Sequence, residues 1–241
     1  MIEIGRVREL TRYPVKSMAG IATESASLGW HGLAGDRRFA FRRVGESSGF
    51  PWLSASRLPE LVLYQPIGLG DDAPEPLCTH VRTPAGAELE LRGEPLRTEI
   101  SERFGSAVEG MMLRDGIFDA AAISVISTAT IADIGREAGI DADRRRMRAN
   151  VVLETYDRKP FLEDEWVGGT LVFGDAEPAP AVSVIMLDER CVMVNIDPDT
   201  GEKDARMMKA VVRLNDNNAG VYCTVIRTGA IHVGQGVYFQ P

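Results

Sequence analysis

Cys191 lies in the run Glu189-Arg190-Cys191-Val192-Met193-Val194-Asn195-Ile196-Asp197-Pro198-Asp199-Thr200-Gly201, which presents a soft sulfur ligand just ahead of a turn sequence. A thiolate carried on a strand and fixed by the following Asp-Pro-Asp-Thr-Gly turn can ligate a soft metal or act as a nucleophile, depending on what lies opposite it. The other two cysteines give an internal comparison. Cys223, in Val221-Tyr222-Cys223-Thr224-Val225, has apolar neighbours and no turn chemistry beside it, the pattern of a core cysteine, and Cys78 falls in a loop near Pro74 and Pro76. His31, His80 and His232 are isolated along the chain and show no zinc-ligand spacing.

Four groups of residues elsewhere have the chemistry to complete such a site. Lys16 and Ser17 follow Tyr13-Pro14-Val15 and precede Met18-Ala19-Gly20, so an ammonium and a hydroxyl project from a turn; the pair suits a phosphate or an anionic pterin oxygen, or is a plain surface turn. Arg37, in Gly35-Asp36-Arg37-Arg38-Phe39, offers a fork for bidentate phosphate binding, or pairs with Asp36 at a strand start. Adjacent strand residues point to opposite faces, so at most one of Arg37 and Arg38 faces a given site. In the basic cluster Arg144 to Arg148, packing of Met147 and Ala149 on the core side leaves Arg146, Arg148 and Asn150 on the other face. Arg148 and Asn150 would then give an anion clamp and an amide able to read a heterocycle edge. Asp119 and Ser127 bracket the apolar strand Ala120 to Ile126; Asp119 either accepts hydrogen bonds from a ligand or ends the strand, and Ser127 is most economically a helix cap whose turn could receive an anion.

The elements that must position these groups are mostly strands. Alternation marks Met1 to Tyr13, and residue type marks Arg38 to Arg42, Leu61 to Tyr64, Val151 to Leu153, Thr170 to Phe173, Val182 to Ile185, Arg190 to Ile196, Gly220 to Ile226 and Gly234 to Phe239. Turn signals fall at Gly29 to Asp36 and Gly68 to Pro76. Phe104, Val108 and Met111 are spaced to line one side of a short helix or turn within Ser101 to Met112. Ser127 caps a helix over Ala129 to Ala138 that Gly139 closes, and Lys203 to Asn215 reads as a further, charged helix. The fold class expected is mainly β with a few helices (α+β), with a soft boundary near residue 100 separating 1–100 from 101–241.

Composition excludes several classes. The 241 residues are 44% hydrophobic, enough for a sizeable core, and the apolar runs fall far short of a membrane span. Three cysteines give no disulfide framework and Met1 to Val7 does not read as a secretory signal, so a cytoplasmic setting is expected. A net charge of −8 argues against a nucleic-acid partner, which makes convergent basic residues the more informative. No Gly-x-Gly-x-x-Gly turn or Walker-type loop is present, and the carboxylates Glu163, Asp164, Glu165, Asp197 and Asp199 are accounted for by solvation or turn formation.

Taken together, Tyr13-Pro14-Val15-Lys16-Ser17, Gly35-Asp36-Arg37-Arg38-Phe39, Ile126-Ser127-Thr128-Ala129, Arg148-Ala149-Asn150-Val151-Val152, and Arg190-Cys191 with Asp197-Pro198-Asp199-Thr200-Gly201 resemble the MOSC family, named for the C-terminal domain of molybdenum cofactor sulfurase. The resemblance implies an N-terminal β-barrel domain over residues 1 to about 95, packed on a MOSC β-barrel domain over about 104 to 241. The arrangement is similar to that of the amidoxime-reducing components and bacterial reductases of N-hydroxylated compounds. It implies a molybdenum cofactor (molybdopterin), with Cys191 as metal ligand and catalytic centre, Lys16, Ser17 and Arg37 as phosphate and pterin contacts, Arg148 and Asn150 as contacts from the second domain, and Asp119 and Ser127 as further contacts. The reaction implied is oxygen-atom removal from an N-hydroxylated small molecule; because the chain ends at Pro241 without a cysteine-rich extension, electrons are expected from a separate flavin or iron-sulfur donor. Pyridoxal phosphate binding is a further family-level association. Two alternatives remain: a sulfur carrier or transferase with a persulfide on Cys191, and a cofactor-binding protein without turnover.

Overall fold

The computed structural model describes residues 1–68, 77–114 and 116–241. Its strands are β1 (Ile2–Arg12), β2 (Ile21–Thr23), β3 (Ser25–Gly29), β4 (Gly32–Leu33), β5 (Phe39–Arg43), β6 (Gln65–Ile67), β7 (His80–Arg82) and β8 (Glu88–Glu90), then β9 (Val108–Met112), β10 (Ile123–Ser127), β11 (Val151–Thr155), β12 (Thr170–Phe173), β13 (Ala181–Glu189), β14 (Asn218–Arg227), β15 (Gly229–His232) and β16 (Gly236–Gln240). The helices are α1 (Glu94–Phe104), α2 (Thr128–Ala138) and α3 (Arg206–Asn215).

One sheet runs β11-β10-β14-β13-β12-β16-β1-β2, and a further pairing of β1 with β11 closes seven of these strands into a barrel. Closure removes the free edges that an open sheet would expose. Its interior is filled by Val7, Leu10, Ile123, Val125, Val151, Leu153 and Val221, with Leu171, Val182 and Val237. All five residues of β10 are buried, because both faces of the strand are covered: Ile123 and Val125 point into the barrel while Ile126 joins the layer under α2 and α3. The first strand therefore lies in the same barrel as strands from the second half, and β15 likewise pairs with β3. The rest of the first half forms small sheets, β5 with β9 and β6-β7-β8, around a separate core of Val15, Met18, Phe39, Leu61, Tyr64 and Ile100.

Three sequence expectations are corrected. Leu61 to Tyr64 is not a strand: a 3-10 turn spans Pro59–Leu63, started by a proline that lacks the N–H a ladder needs, and it buries the adjacent Leu61 and Val62. Ser101 to Met112 divides into the end of α1, stopped by Gly105 in a left-handed conformation, and the strand β9; Val108 is buried but Met111 is exposed. Arg190 to Ile196 is also not a strand. The β13–β14 ladder ends at the pair Glu189 and Asn218, because the chain enters β14 through two left-handed residues, Asp216 and Asn217, and past that point a 3-10 turn spans Val192–Asn195. The expected turn at Gly68 to Pro76 falls largely outside the described residues. The cap at Ser127 is as expected, its side chain accepting from the Thr130 amide, and Gly139 ends α2.

Candidate functional site

Cys191 follows the end of β13 and immediately precedes the 3-10 turn, so its thiol is exposed, whereas Cys78 and Cys223 are buried. Burial pushes the Cys78 thiol up to about 12 and that of Cys223 higher still, leaving both as inert core groups. The turn that fixes the Cys191 segment is tied down at its far end: the Asp197 carboxylate accepts from the amides of Asp199 and Thr200, and Arg146 Nη2 reaches Asp197 Oδ2 at 2.7 Å. Arg145 in turn pairs with Asp143 and Asp199.

Cys191 lines a pocket of about 120 Å³ together with Lys16, Ser17, Arg37, Asp119 and Arg148, which bring both halves of the chain to one place. Ser17, Arg37 and Arg148 each have positive φ, at 69°, 46° and 52°, although none is glycine. Among the described residues six non-glycine positions have positive φ, and three of the six surround this pocket. Such conformations persist only where the surroundings hold them, and they concentrate at functional sites. No property of the letters Ser or Arg reveals this in advance.

The pocket's cations are not equivalent. Arg37 is fully engaged: Nη1 pairs with Asp36 Oδ2 at 2.6 Å and donates to Asn150 Oδ1 at 3.0 Å, Nη2 donates to the Arg148 carbonyl at 2.8 Å, and Nε meets Asp119 Oδ2 at 2.5 Å. Burial alone would lower its pKa, but Asp36 and Asp119 outweigh that and raise it. Asp119, which burial would push up, is instead held below its usual range by Arg37 and Lys16. Arg146 and Arg190 pair with Asp197 and Asp188. Lys16 and Arg148 differ, since their polar contacts are carbonyls: Lys16 Nζ donates to Phe118 O and Arg148 Nη1 to Met18 O, both at 2.8 Å. Burial lowers the pKa of both, that of Arg148 to about 10. The Tyr13 ring lies beside both arginines, with the Arg148 guanidinium 4.3 Å and that of Arg37 5.0 Å from its centroid.

Two expected site residues lie behind the pocket wall. Asn150 is 1% exposed; its Oδ1 accepts from Arg37 and from the Ser124 amide, and its Nδ2 donates to the Thr11 carbonyl, so the amide is used up in joining β1, β10 and Arg37. Ser127 is fully buried in its capping role, its own amide donating to Glu163 Oε1. Arg38 points away from Arg37, donating to Leu113 O. Glu163, read as a loop carboxylate accounted for by solvation or turn formation, is instead fully buried, and burial raises its pKa.

Sequence reading passed over Tyr13, Asp188, Arg190 and Tyr222. Asp188 accepts from Ser124 Oγ at 2.7 Å and pairs with Arg190, which also donates to the Met147 carbonyl; this network braces the strand end ahead of Cys191. Tyr222 Oη approaches Asp119 Oδ1 at 3.5 Å from β14. The alternation Tyr222-Cys223 carried the signal, since a buried Cys223 puts its neighbour on the opposite face.

The geometry has the two-part character that family comparison then explains. Residues 104–238 match the MOSC domain and residues 4–115 match the MOSC N-terminal beta barrel domain. The chain belongs to the MOSC domain family. This MOSC protein is 24% identical to the mitochondrial amidoxime reducing component 2 of Bos taurus, over 98% of this chain and 83% of the relative. It is likewise 24% identical to the mitochondrial amidoxime-reducing component 1 of Homo sapiens, with the same coverage. The YuaD protein of Bacillus subtilis shares the fold at a TM-score of 0.51 and 16% identity, over 97% of this chain and 93% of that one. These descriptions do not mention pyridoxal phosphate, and the two relatives are mitochondrial by name, which lends no support to a cytoplasmic assignment. Among the described residues no helix is long and apolar enough to cross a membrane.

Proposed function

We propose that this protein is an oxidoreductase that holds a molybdenum-containing pterin cofactor through Cys191 and reduces N-hydroxylated small molecules. The observation that carries the reading is the convergence of one exposed thiol with two cations, Lys16 and Arg148, that meet carbonyls and, among the described residues, no carboxylate within ion-pair distance. A soft ligand beside positive charge that is not tied up in an ion pair suits an anionic molecule that brings a soft metal. The donor set fits in a second respect. Among the described residues no three His, Cys, Asp or Glu side chains gather as a metal cage, so a metal at Cys191 would take its other ligands from the organic part of a cofactor.

When bound, that group supplies two-electron oxygen-atom chemistry, with the electrons delivered by a separate flavin or iron-sulfur protein. The chain's own residues have distinct tasks. Lys16 and Arg148 bind the anion, the Ser17 hydroxyl lies in the same wall, and Asp36, Asp119 and Asn150 keep Arg37 locked so that Arg148, whose carbonyl Arg37 holds, keeps its left-handed conformation. Reduction of an N-hydroxyl group to an amine and water consumes two protons with the two electrons, and Tyr222 Oη beside Asp119 can hold a proton at the pocket. The names of the amidoxime-reducing relatives support this substrate class.

The test is elemental analysis and pterin fluorescence on protein from a host able to make the cofactor, comparing wild type with Cys191→Ser, followed by reduction of benzamidoxime with a chemically reduced viologen. Molybdenum and pterin near one per chain, lost in the variant together with benzamidine formation, are expected. Cyanide-labile sulfur on Cys191 with neither molybdenum nor pterin would replace this reading with sulfur transfer.

A further inference from the structure

A second and larger cleft, of about 640 Å³, shares Arg146, Arg148 and Met193 with the Cys191 pocket but is not lined by Cys191, Lys16 or Asp119. Its volume is in the range of sites that enclose small molecules. Ile21, Val62, Leu63, Pro66, Ile67 and Ile196 give it apolar walls drawn from β2, the Pro59–Leu63 turn, β6 and the segment after Cys191.

Its charges are unbalanced. Four arginines, Arg82, Arg145, Arg146 and Arg148, line it against the two carboxylates Glu9 and Asp199, in a protein whose net charge is −8. Glu9 is held by Arg144, Asp199 by Arg145, Arg82 by Glu88 and Arg146 by Asp197. Of these four, Arg148 is the one with no carboxylate in contact among the described residues, and its guanidinium is held against Tyr13, which also lines the cleft. A half-buried cation whose guanidinium meets no carboxylate among the described residues is partly desolvated without a bonded counter-ion, and an anion placed against it relieves that cost.

We infer that this cleft is a binding site for an amphipathic monoanion, a flat apolar body carrying one carboxylate or sulfonate, and that its occupant is sensed at the Cys191 pocket through the shared Arg148. The apolar walls take the body, and Arg148 takes the acid group. One guanidinium serving two anion sites makes them antagonistic: an anion in the cleft neutralises charge that the Cys191 pocket uses, and by linkage the reverse holds with the same factor.

The probe is 8-anilinonaphthalene-1-sulfonate, whose fluorescence is titrated on the folded, cofactor-free full chain, with circular dichroism as the control for folding. Saturable binding at one site per chain is expected, weakened about tenfold or more by Arg148→Met, as loss of a charge-assisted bond implies. Arg148→Lys should recover part of that loss. Ala22→Trp, an exposed position on β2 that lines the cleft, should abolish binding with the fold intact. Sulfate, added to load the Cys191 pocket, should raise the apparent Kd of the dye in wild type and leave it unchanged in Lys16→Met. Dye binding indifferent to Ala22→Trp would overturn the proposal, as would displacement of the dye, undiminished in Lys16→Met, by pterin cofactor released from a molybdenum enzyme, since competition independent of the Cys191 pocket would give the cleft to the cofactor. No molybdenum or turnover is needed for these measurements, so they stand or fall separately from the proposed reductase activity.

Discussion

At the scale of the residue, the Cys191 pocket is governed by which cations are already matched. Arg37 resembles a ligand clamp in sequence, yet its guanidinium is spent on Asp36, Asp119, Asn150 and a carbonyl, while Lys16 and Arg148 retain charge to offer. This gives a pH dependence whose sign follows from burial. Burial lowers the Lys16 pKa below its ordinary 10.5, with Asp119 opposing and Arg37 and Arg148 adding to the fall. Lys16 is therefore charged at low and neutral pH and loses its proton earlier than an exposed lysine on the alkaline side. Sulfate affinity, measured by calorimetry, should fall as pH rises through that depressed pKa, and Lys16→Met should be weaker at neutral pH and lack that component of the fall. In the anion-free protein the unfolded chain binds the extra proton between the two pKa values, so this group makes stability rise with pH there. A second prediction separates contact from support. Asn150→Ala strands the Ser124 amide and one Arg37 donor, and should cost roughly 2–4 kcal/mol in denaturant unfolding. If Asn150 instead touched ligand, affinity would fall while stability held. The residue types at Lys16, Arg148 and Cys191 were legible in the sequence, but the pairing state of each cation was not, because it depends on carboxylates contributed from remote positions such as Asp119.

At the scale of the element, local signals succeeded where a segment's structure is decided by its own residues. Ser127 caps α2 and Gly139 stops it, as their side-chain chemistry dictates, and β1 is marked by alternation. They failed at Arg190 to Ile196, where the apolar text is strand-like but the partner strand begins only at Asn218. That failure matters chemically, since a thiol at a strand end is free to face a pocket. The same helix start carries a testable burden. Glu163 is fully buried, its Oε1 accepts from the Ser127 amide, and its Oε2 has no hydrogen-bond partner among the described residues. Burial raises its pKa, so the folded state holds a proton that the unfolded chain releases near pH 4.5, and stability falls as pH rises from there through the higher folded value. Glu163→Gln keeps an acceptor for Ser127 and removes the titration; its unfolding free energy should be flatter with pH than that of wild type. An unchanged slope would place the carboxyl outside this linkage. Ser127→Ala should cost about 1 kcal/mol, the ordinary value of a lost cap.

At the scale of the whole molecule, the sequence suggests two successive units, whereas the barrel is built from both ends of the chain. β1 pairs with β11 on one side and β16 on the other, and without it a seven-stranded ring opens along two edges. Periodicity reported that β1 is a strand but carries no information on which remote strands it joins, and so the interleaving was not legible. The site depends on that seam, because Tyr13, Lys16 and Ser17 follow β1 directly while Arg148 and Asn150 precede β11. Asn150 bonds reciprocally with Thr11 across it. Gly5 gives a handle on the closure that leaves the pocket residues untouched. A Cβ at Gly5 would come within 2.2 Å of the Glu154 carbonyl oxygen on β11, a backbone atom that cannot rotate away. Gly5→Val should therefore open or shift the β1–β11 pairing and cost several kcal/mol, as forced overpacking typically does at about 1–3 kcal/mol or more. At about 2–4 °C per kcal/mol for a chain of this size, the melting temperature should drop by roughly 5 °C or more. If β1 couples the halves, calorimetry should show one transition displaced as a unit, with sulfate binding weakened in parallel although Gly5 does not line the Cys191 pocket. Two transitions, only one of them lowered, would mean instead that the first half folds and presents Lys16 independently of barrel closure.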